Sequence, residues 1–161
     1  MIVSNTGPLA VLVKARLLFI LKELHEEILV PRAVEIELKA KIEGVITFNA
    51  NPWIKVADVR NKELIKALML SVDQGEAEAI ALALHENARL LIDDLIGRKA
   101  AKKLGLQIQG TLGLFIAAKK KRIITSVQDC IGRIVEVGYY LDDELIDSVL
   151  RTANELEEDP Q

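Results

Sequence analysis

The sequence predicts an α/β protein with a central, mostly parallel sheet of about five strands and helices on both faces. Short apolar runs alternate with stretches of helical period along most of the chain. Such alternation is typical of βαβ units with right-handed crossovers. The chain has 161 residues, of which 50% are hydrophobic, so it is long enough to bury one sizeable core.

Short apolar runs followed by polar or turn-forming residues are predicted to form the strands. They lie at residues 2–3, 28–30, 54–56, 90–92 and 106–108.

The stretches between these runs carry helix start signals. Pro8 fits the first turn of a helix capped by Thr6, and the apolar pattern continues through one interruption as far as Leu24. Pro31 opens a second helix, which is predicted to end near Gly44.

A capping box opens the helix predicted to be most buried. Asp73 and Glu76 have the spacing of that motif, and residues 77–84 are apolar nearly all round a helix. Before it, a loop at 49–52 leads to a helix that Asn61 caps and that ends at Leu70. The remaining helices are predicted over residues 95–104 (ended by Gly105), 111–121 (capped by Thr111), 126–137 and 142–156.

The last two of these helices form a C-terminal extension, residues 126–161, which we expect to pack on the domain formed by residues 1–125. Its apolar positions include Val127, Ile131 and Leu150. They are expected to cover the chain's own core, with the face of a homodimer as the alternative.

Composition restricts the partners. The formal net charge is −3, so the whole molecule does not attract a polyanion, and nucleic-acid binding requires a local basic cluster. The candidate is the run from Lys119 to Arg122, joined by Arg98, Lys99, Lys102 and Lys103. The alternative is that these residues are solvated helix faces.

Cys130 is the one cysteine and there are two histidines, which excludes an intramolecular disulfide and a cysteine/histidine zinc site. No apolar run approaches the roughly 18 residues that a membrane span needs. We therefore expect a cytoplasmic protein in a reducing compartment, with no membrane partner.

Polar side chains follow two predicted strands. Asn5 comes after the first strand, and Asp93 and Asp94 follow the run at 90–92. Because ligands bind beyond the carboxyl ends of parallel strands, these side chains should meet at one edge of the sheet. Neighbouring acids repel each other, and Mg²⁺ or Mn²⁺, which prefer oxygen ligands, would hold them together.

Each candidate also has a structural interpretation. Asp94 could only cap the helix that follows it, Glu76 could only complete the capping box, and Asn5 could only shape the turn before Pro8. Glu37, within the helix after Pro31, could be a solvated residue. The metal hypothesis therefore depends on all of these residues lying together at one site.

Several blocks of sequence, in this order, resemble the successive motifs of the PIN-domain family. They are residues 2–9 (IVSNTGPL), 30–38 (VPRAVEIEL), 75–83 (GEAEAIALA) and 91–98 (LIDDLIGR). Residues 110–113 (GTLG) resemble a further block of a prokaryotic branch related to the VapC-type toxins. The resemblance covers about residues 1–125.

This resemblance implies a three-layer α/β/α sandwich and cleavage of single-stranded RNA with Mg²⁺ or Mn²⁺, in some members as a toxin held by an antitoxin protein. The family's acidic positions match Asn5, Glu37, Glu76 and Asp94, and Asp93 would assist through water. Most members have aspartate at the first position, so Asn5 leaves three carboxylates instead of four and weaker metal binding.

Two other functions fit parts of the pattern. A catalytically degenerate PIN fold would bind RNA or a partner protein, and Asn5 would mark its lost activity. A phosphoacceptor receiver domain would need an acidic pair after the first strand, where this chain has Ser4 and Asn5.

Overall fold

The computed structural model describes residues 1–42 and 48–156. Within them, one five-stranded sheet has the order β3-β2-β1-β4-β5. Every neighbouring pair is parallel, which confirms the predicted α/β class. The strands are β1 Ile2–Ser4, β2 Ile28–Pro31, β3 Ile54–Ala57, β4 Arg89–Leu91 and β5 Ile108–Gln109.

Helices cover both faces of the sheet. In the described residues they are α1 Thr6–Lys14, α2 Leu18–Leu24, α3 Arg32–Lys41, α4 Lys62–Leu68, α5 Gln74–Glu86, α6 Leu95–Lys103, α7 Thr111–Lys120, α8 Val127–Glu136 and α9 Asp143–Thr152. A 3₁₀ turn, Phe48–Ala50, overlaps the loop predicted at residues 49–52. None of the described helices is long and apolar enough to cross a membrane.

The core has two layers because successive strand residues point to opposite faces. Ile2 and Leu91 pack with α1, α2, α3, α7, α8 and α9 on one face. Val3 and Leu90 pack with α4, α5 and α6 on the other. The result is the three-layer α/β/α sandwich that was predicted.

Two predicted helix caps are wrong. Asn5, not Thr6, is the N-cap residue of α1, and Gly110, not Thr111, is the N-cap residue of α7. In both cases the threonine hydroxyl bonds a carboxylate from another part of the chain, Glu37 or Asp93, so it does not cap its own helix.

Several element ends also differ from the prediction. The interruption after α1 is real, with Arg16 at φ 59°. Strand β5 lies two residues later than predicted, and α4 and α9 end earlier, at Leu68 and Thr152. Helix α3 ends at Lys41, and Gly44 lies outside the described residues. The Asn61 cap and the capping box of Asp73 and Glu76 are confirmed.

The C-terminal helices share the core of the rest of the chain. Val127, Ile131 and Leu150 are buried in the same cluster as Ile2. After α9, Glu155 accepts hydrogen bonds from the Lys119 Nζ atom and from two backbone N–H groups at the start of α8. These contacts hold the residues that follow α9 against α7 and α8.

Candidate metal centre

The carboxyl edge of the sheet, where the strands end, carries the candidate site. Strand β1 lies between β2 and β4, so the order of the strands along the chain reverses at β1. In open parallel sheets, ligands bind beyond the carboxyl ends of the strands at such a point. Asn5 directly follows β1 and is 7% exposed. Its backbone N–H donates to the Leu91 carbonyl at 3.0 Å, which joins the ends of β1 and β4.

Glu37 reaches this edge from α3. Its Oε2 atom accepts a hydrogen bond from the Thr6 hydroxyl at 2.6 Å, so the residue after Asn5 orients this carboxylate. Gly75 in the first turn of α5 leaves room for it, since a Cβ atom there would lie 3.0 Å from Glu37 Oε2. A side chain at position 75 would therefore displace Glu37.

Glu76 and Asp94 come together above Gly97. A Cβ atom placed on Gly97 would lie 3.6 Å from both Asp94 Oδ2 and Glu76 Cδ, so these two atoms are at most twice that distance apart. Asp94 also caps α6 by accepting from the Gly97 N–H at 2.8 Å, and Glu76 accepts from the Asp73 N–H at 3.2 Å. The capping roles and the grouping of acids are thus compatible.

The charged groups that act on Glu76 are all carboxylates. Burial raises the pKa of Glu76, and the negative charges of Asp73, Asp94 and Glu37 raise it further, against one backbone hydrogen bond from Asp73. Within the described residues, no lysine, arginine or histidine forms an ion pair with Glu37, Glu76 or Asp94.

The oxygen ligands fit a hard divalent cation. The set comprises carboxylates and the Asn5 amide oxygen, which suit Mg²⁺ or Mn²⁺ better than soft metals. Among residues 1–42 and 48–156, no three His, Cys, Asp or Glu side chains lie close enough to hold one ion together. Mg²⁺ commonly uses one or two carboxylates and keeps several waters, so a site based on Glu76 and Asp94 would need no third acid.

A family model for the PIN domain matches residues 1–155. The chain belongs to the PIN-domain family. PIN domains are generally nucleases, and the match extends beyond the resemblance at residues 1–125, through α8 and α9. A comparison with curated proteins finds none that matches the chain.

Asp93 has a different environment from Asp94 in this PIN domain. Its Oδ1 accepts from the Thr111 N–H at 2.8 Å and its Oδ2 from the Thr111 hydroxyl at 2.6 Å. Tyr139, after α8, also bonds Asp93, and the pKa of Tyr139 is raised by burial and by the negative charge and hydrogen bond of Asp93. The sequence gives no signal for this contact, because nothing relates position 139 to position 93.

The remaining predicted polar residues are placed as follows. The Ser4 hydroxyl donates to the Asn5 carbonyl at 3.0 Å and supports the turn after β1. The run from Lys119 to Arg122 comprises the last two residues of α7 and the two residues after it. Lys119 donates to the Ala153 carbonyl and to Glu155, so it contributes to the fold.

Proposed function

We propose that this PIN domain is a metal-dependent ribonuclease that hydrolyses phosphodiester bonds of single-stranded RNA. The observation that supports the proposal is that Glu76 lies near Asp94 and among the negative charges of Asp94 and Glu37, and that none of these three carboxylates forms an ion pair with a described residue. A group of acids that the chain does not neutralise is a site for an external cation.

Glu76 and Asp94 would hold the Mg²⁺ or Mn²⁺ ion, with the Asn5 carbonyl oxygen and Glu37 binding directly or through water. Asp93, whose two oxygens bond Thr111, would act on it only through water. When held by these residues, such an ion would supply a water of lowered pKa and positive charge opposite the phosphate being cleaved. Thr6 would orient Glu37, and the Ser4 hydroxyl would hold the backbone carbonyl of Asn5, not its side-chain oxygen.

With this activity, we propose that the protein acts in the cytoplasm as a toxin paired with an antitoxin protein. The alternative is a degenerate module that binds RNA or a partner protein, including a second copy of the chain. Asn5 favours that alternative, since an amide adds no negative charge for a metal.

Cleavage of a mixed single-stranded RNA with Mg²⁺ or Mn²⁺ tests the proposal. Asp94→Asn should reduce the rate at least about 100-fold, because removing one ligand charge costs several kcal/mol of charge stabilisation. Asp129→Asn is a matched control, because Asp129 is exposed in the first turn of α8 and is not among the charges that act on Glu76.

The control should cleave like the wild-type protein. If the wild-type protein binds the RNA but does not cleave it with either metal, the module is the correct interpretation.

A further inference from the structure

A groove of about 600 Å³ begins beside the carboxylates. Asp93 and Leu95, the two neighbours of Asp94 in sequence, both line it. Its other walls come from α6, β5, α7 and the segment from Tyr139 to α9, with Tyr139 and Leu145 among the apolar contributors. Its volume lies in the range of small-ligand sites.

Two cations from one face of α6 line this groove. Arg98 and Lys102 are four residues apart, which places them on the same side of the helix. Arg98 donates one hydrogen bond, to the Ile92 carbonyl at 3.3 Å. Lys102 is exposed and makes no hydrogen bond or ion pair with any residue in the described part of the chain. In a chain of net charge −3, these are local positive charges of the kind that phosphate binding requires.

Gln109, one of the residues that line this groove, carries a buried hydrogen-bond acceptor without a partner in the described part of the chain. Its Oε1 atom is the only buried side-chain nitrogen or oxygen in residues 1–42 and 48–156 that lacks a partner, and the residue lines the groove at the end of β5. A buried acceptor without a donor destabilises the fold, so a ligand that brings an N–H or O–H group to this atom gains a favourable contact.

Resting on the proposed ribonuclease activity, we propose that the groove binds one nucleotide of single-stranded RNA next to the phosphate that is cleaved. Arg98 and Lys102 contact a backbone phosphate, and Gln109 accepts a hydrogen bond from the base or from a ribose hydroxyl. The apolar walls shield the base. Thr111 and Tyr139 hold Asp93, and Asp93 places this wall of the groove next to Asp94.

Binding of a fluorescein-labelled 2′-O-methyl oligoribonucleotide of mixed sequence, followed by anisotropy in EDTA, tests this assignment without cleavage. Lys102→Gln should weaken binding and reduce the slope of log K against log salt by about 0.7, the value for one phosphate contact of a single strand. Lys103→Gln is the matched control, because Lys103 is the next residue of α6, is also exposed, and does not line the groove.

Equal binding by the Lys102→Gln and Lys103→Gln proteins would overturn the assignment. Gln109→Leu should bind the oligonucleotide more weakly while melting at the same or a higher temperature, since it removes the unpaired acceptor. Unchanged binding by this folded variant would overturn the role of Gln109.

Asp94→Asn separates the groove from the proposed activity, because it should reduce cleavage at least about 100-fold without weakening binding in EDTA. Wild-type protein that binds through Lys102 but never cleaves RNA would contradict the activity and support the groove. If the groove instead joins two copies of the chain, Leu145→Asp would weaken self-association in sedimentation and leave oligonucleotide binding unchanged, which would overturn the proposal.

Discussion

Glu155, after α9, and Glu76, in the first turn of α5, are both partly buried carboxylates, but the chain treats them differently. Glu155 accepts hydrogen bonds from Lys119 Nζ and the Gln128 N–H, each at 2.8 Å, and from the Val127 N–H. Burial alone would raise the pKa of Glu155, but these donors together hold it below its usual value.

Glu76 has the opposite environment. Its neighbours are Asp73, Asp94 and Glu37, and its pKa is raised by burial and by their charges. Glu155 serves the fold and receives a lysine and two backbone N–H donors from the chain. A carboxylate that receives negative neighbours instead is suited to bind a cation from outside, and that difference separates the structural acids from the candidate metal site.

Glu155→Ala should have the largest effect on stability of the substitutions considered. It removes hydrogen bonds to a charged acceptor and leaves Lys119 and two N–H groups with fewer partners, which should lower the free energy of unfolding by about 2–3 kcal/mol. Urea denaturation measures this loss. Glu136→Ala, at an exposed position on α8, is the control and should change stability little.

The same residue predicts a pH dependence. Because the native pKa of Glu155 is lowered, its contribution is complete above the unfolded value of about 4.3. It is lost as the pH falls through the lowered native pKa. Wild-type stability should therefore fall more steeply on acidification below about pH 4 than that of Glu155→Ala. Parallel curves for the two proteins would show that Glu155 is not the stabilising carboxylate described.

Asn5→Asp sharpens the comparison by adding a fourth acid at the carboxyl edge. Mn²⁺ affinity should rise about tenfold, roughly 1.4 kcal/mol, while the metal-free protein should melt lower because like charges repel. Asn61→Asp is the matched control, since Asn61 caps α4 and aspartate caps equally well. A lower melting temperature that Mn²⁺ does not restore would favour the binding-module interpretation.

Glu35→Gln should have the smallest effect. Glu35 lies two residues before Glu37 on α3, but Lys39 and Arg32 donate to it, each at 2.8 Å. The hydrogen bond from Lys39 makes the largest contribution and lowers the pKa of Glu35, and Arg32 lowers it as well. Burial raises this pKa but does not outweigh the two donors. Both cations are exposed, so the stability change should stay within about 1 kcal/mol. Loss of Mn²⁺ binding in this variant, measured by calorimetry, would contradict the distinction between paired and unpaired acids.

The sequence predicted the sheet because the hydrophobic period and the strand ends determine it, whereas the grouping of Glu37 and Glu76 with Asp94 was inferred from the resemblance to the PIN-domain family. Local patterns predicted no role for Glu78, which lies two residues after Glu76 in α5. In the structure Glu78 is buried and accepts from the Ala33 N–H at 3.1 Å, joining α5 to α3. The bond between Tyr139 and Asp93 and the unpaired Gln109 oxygen also depend on tertiary packing, which local patterns do not specify.

Calorimetric titration of Mn²⁺ into the metal-free protein tests the central claim most directly, namely that the unpaired acids at the carboxyl edge bind a cation. The account predicts heat of binding to the wild-type protein and to Glu35→Gln, weaker or absent binding to Asp94→Asn, and tighter binding to Asn5→Asp. Binding that is undetectable at millimolar Mn²⁺, or that is identical in the wild-type and Asp94→Asn proteins, would contradict it.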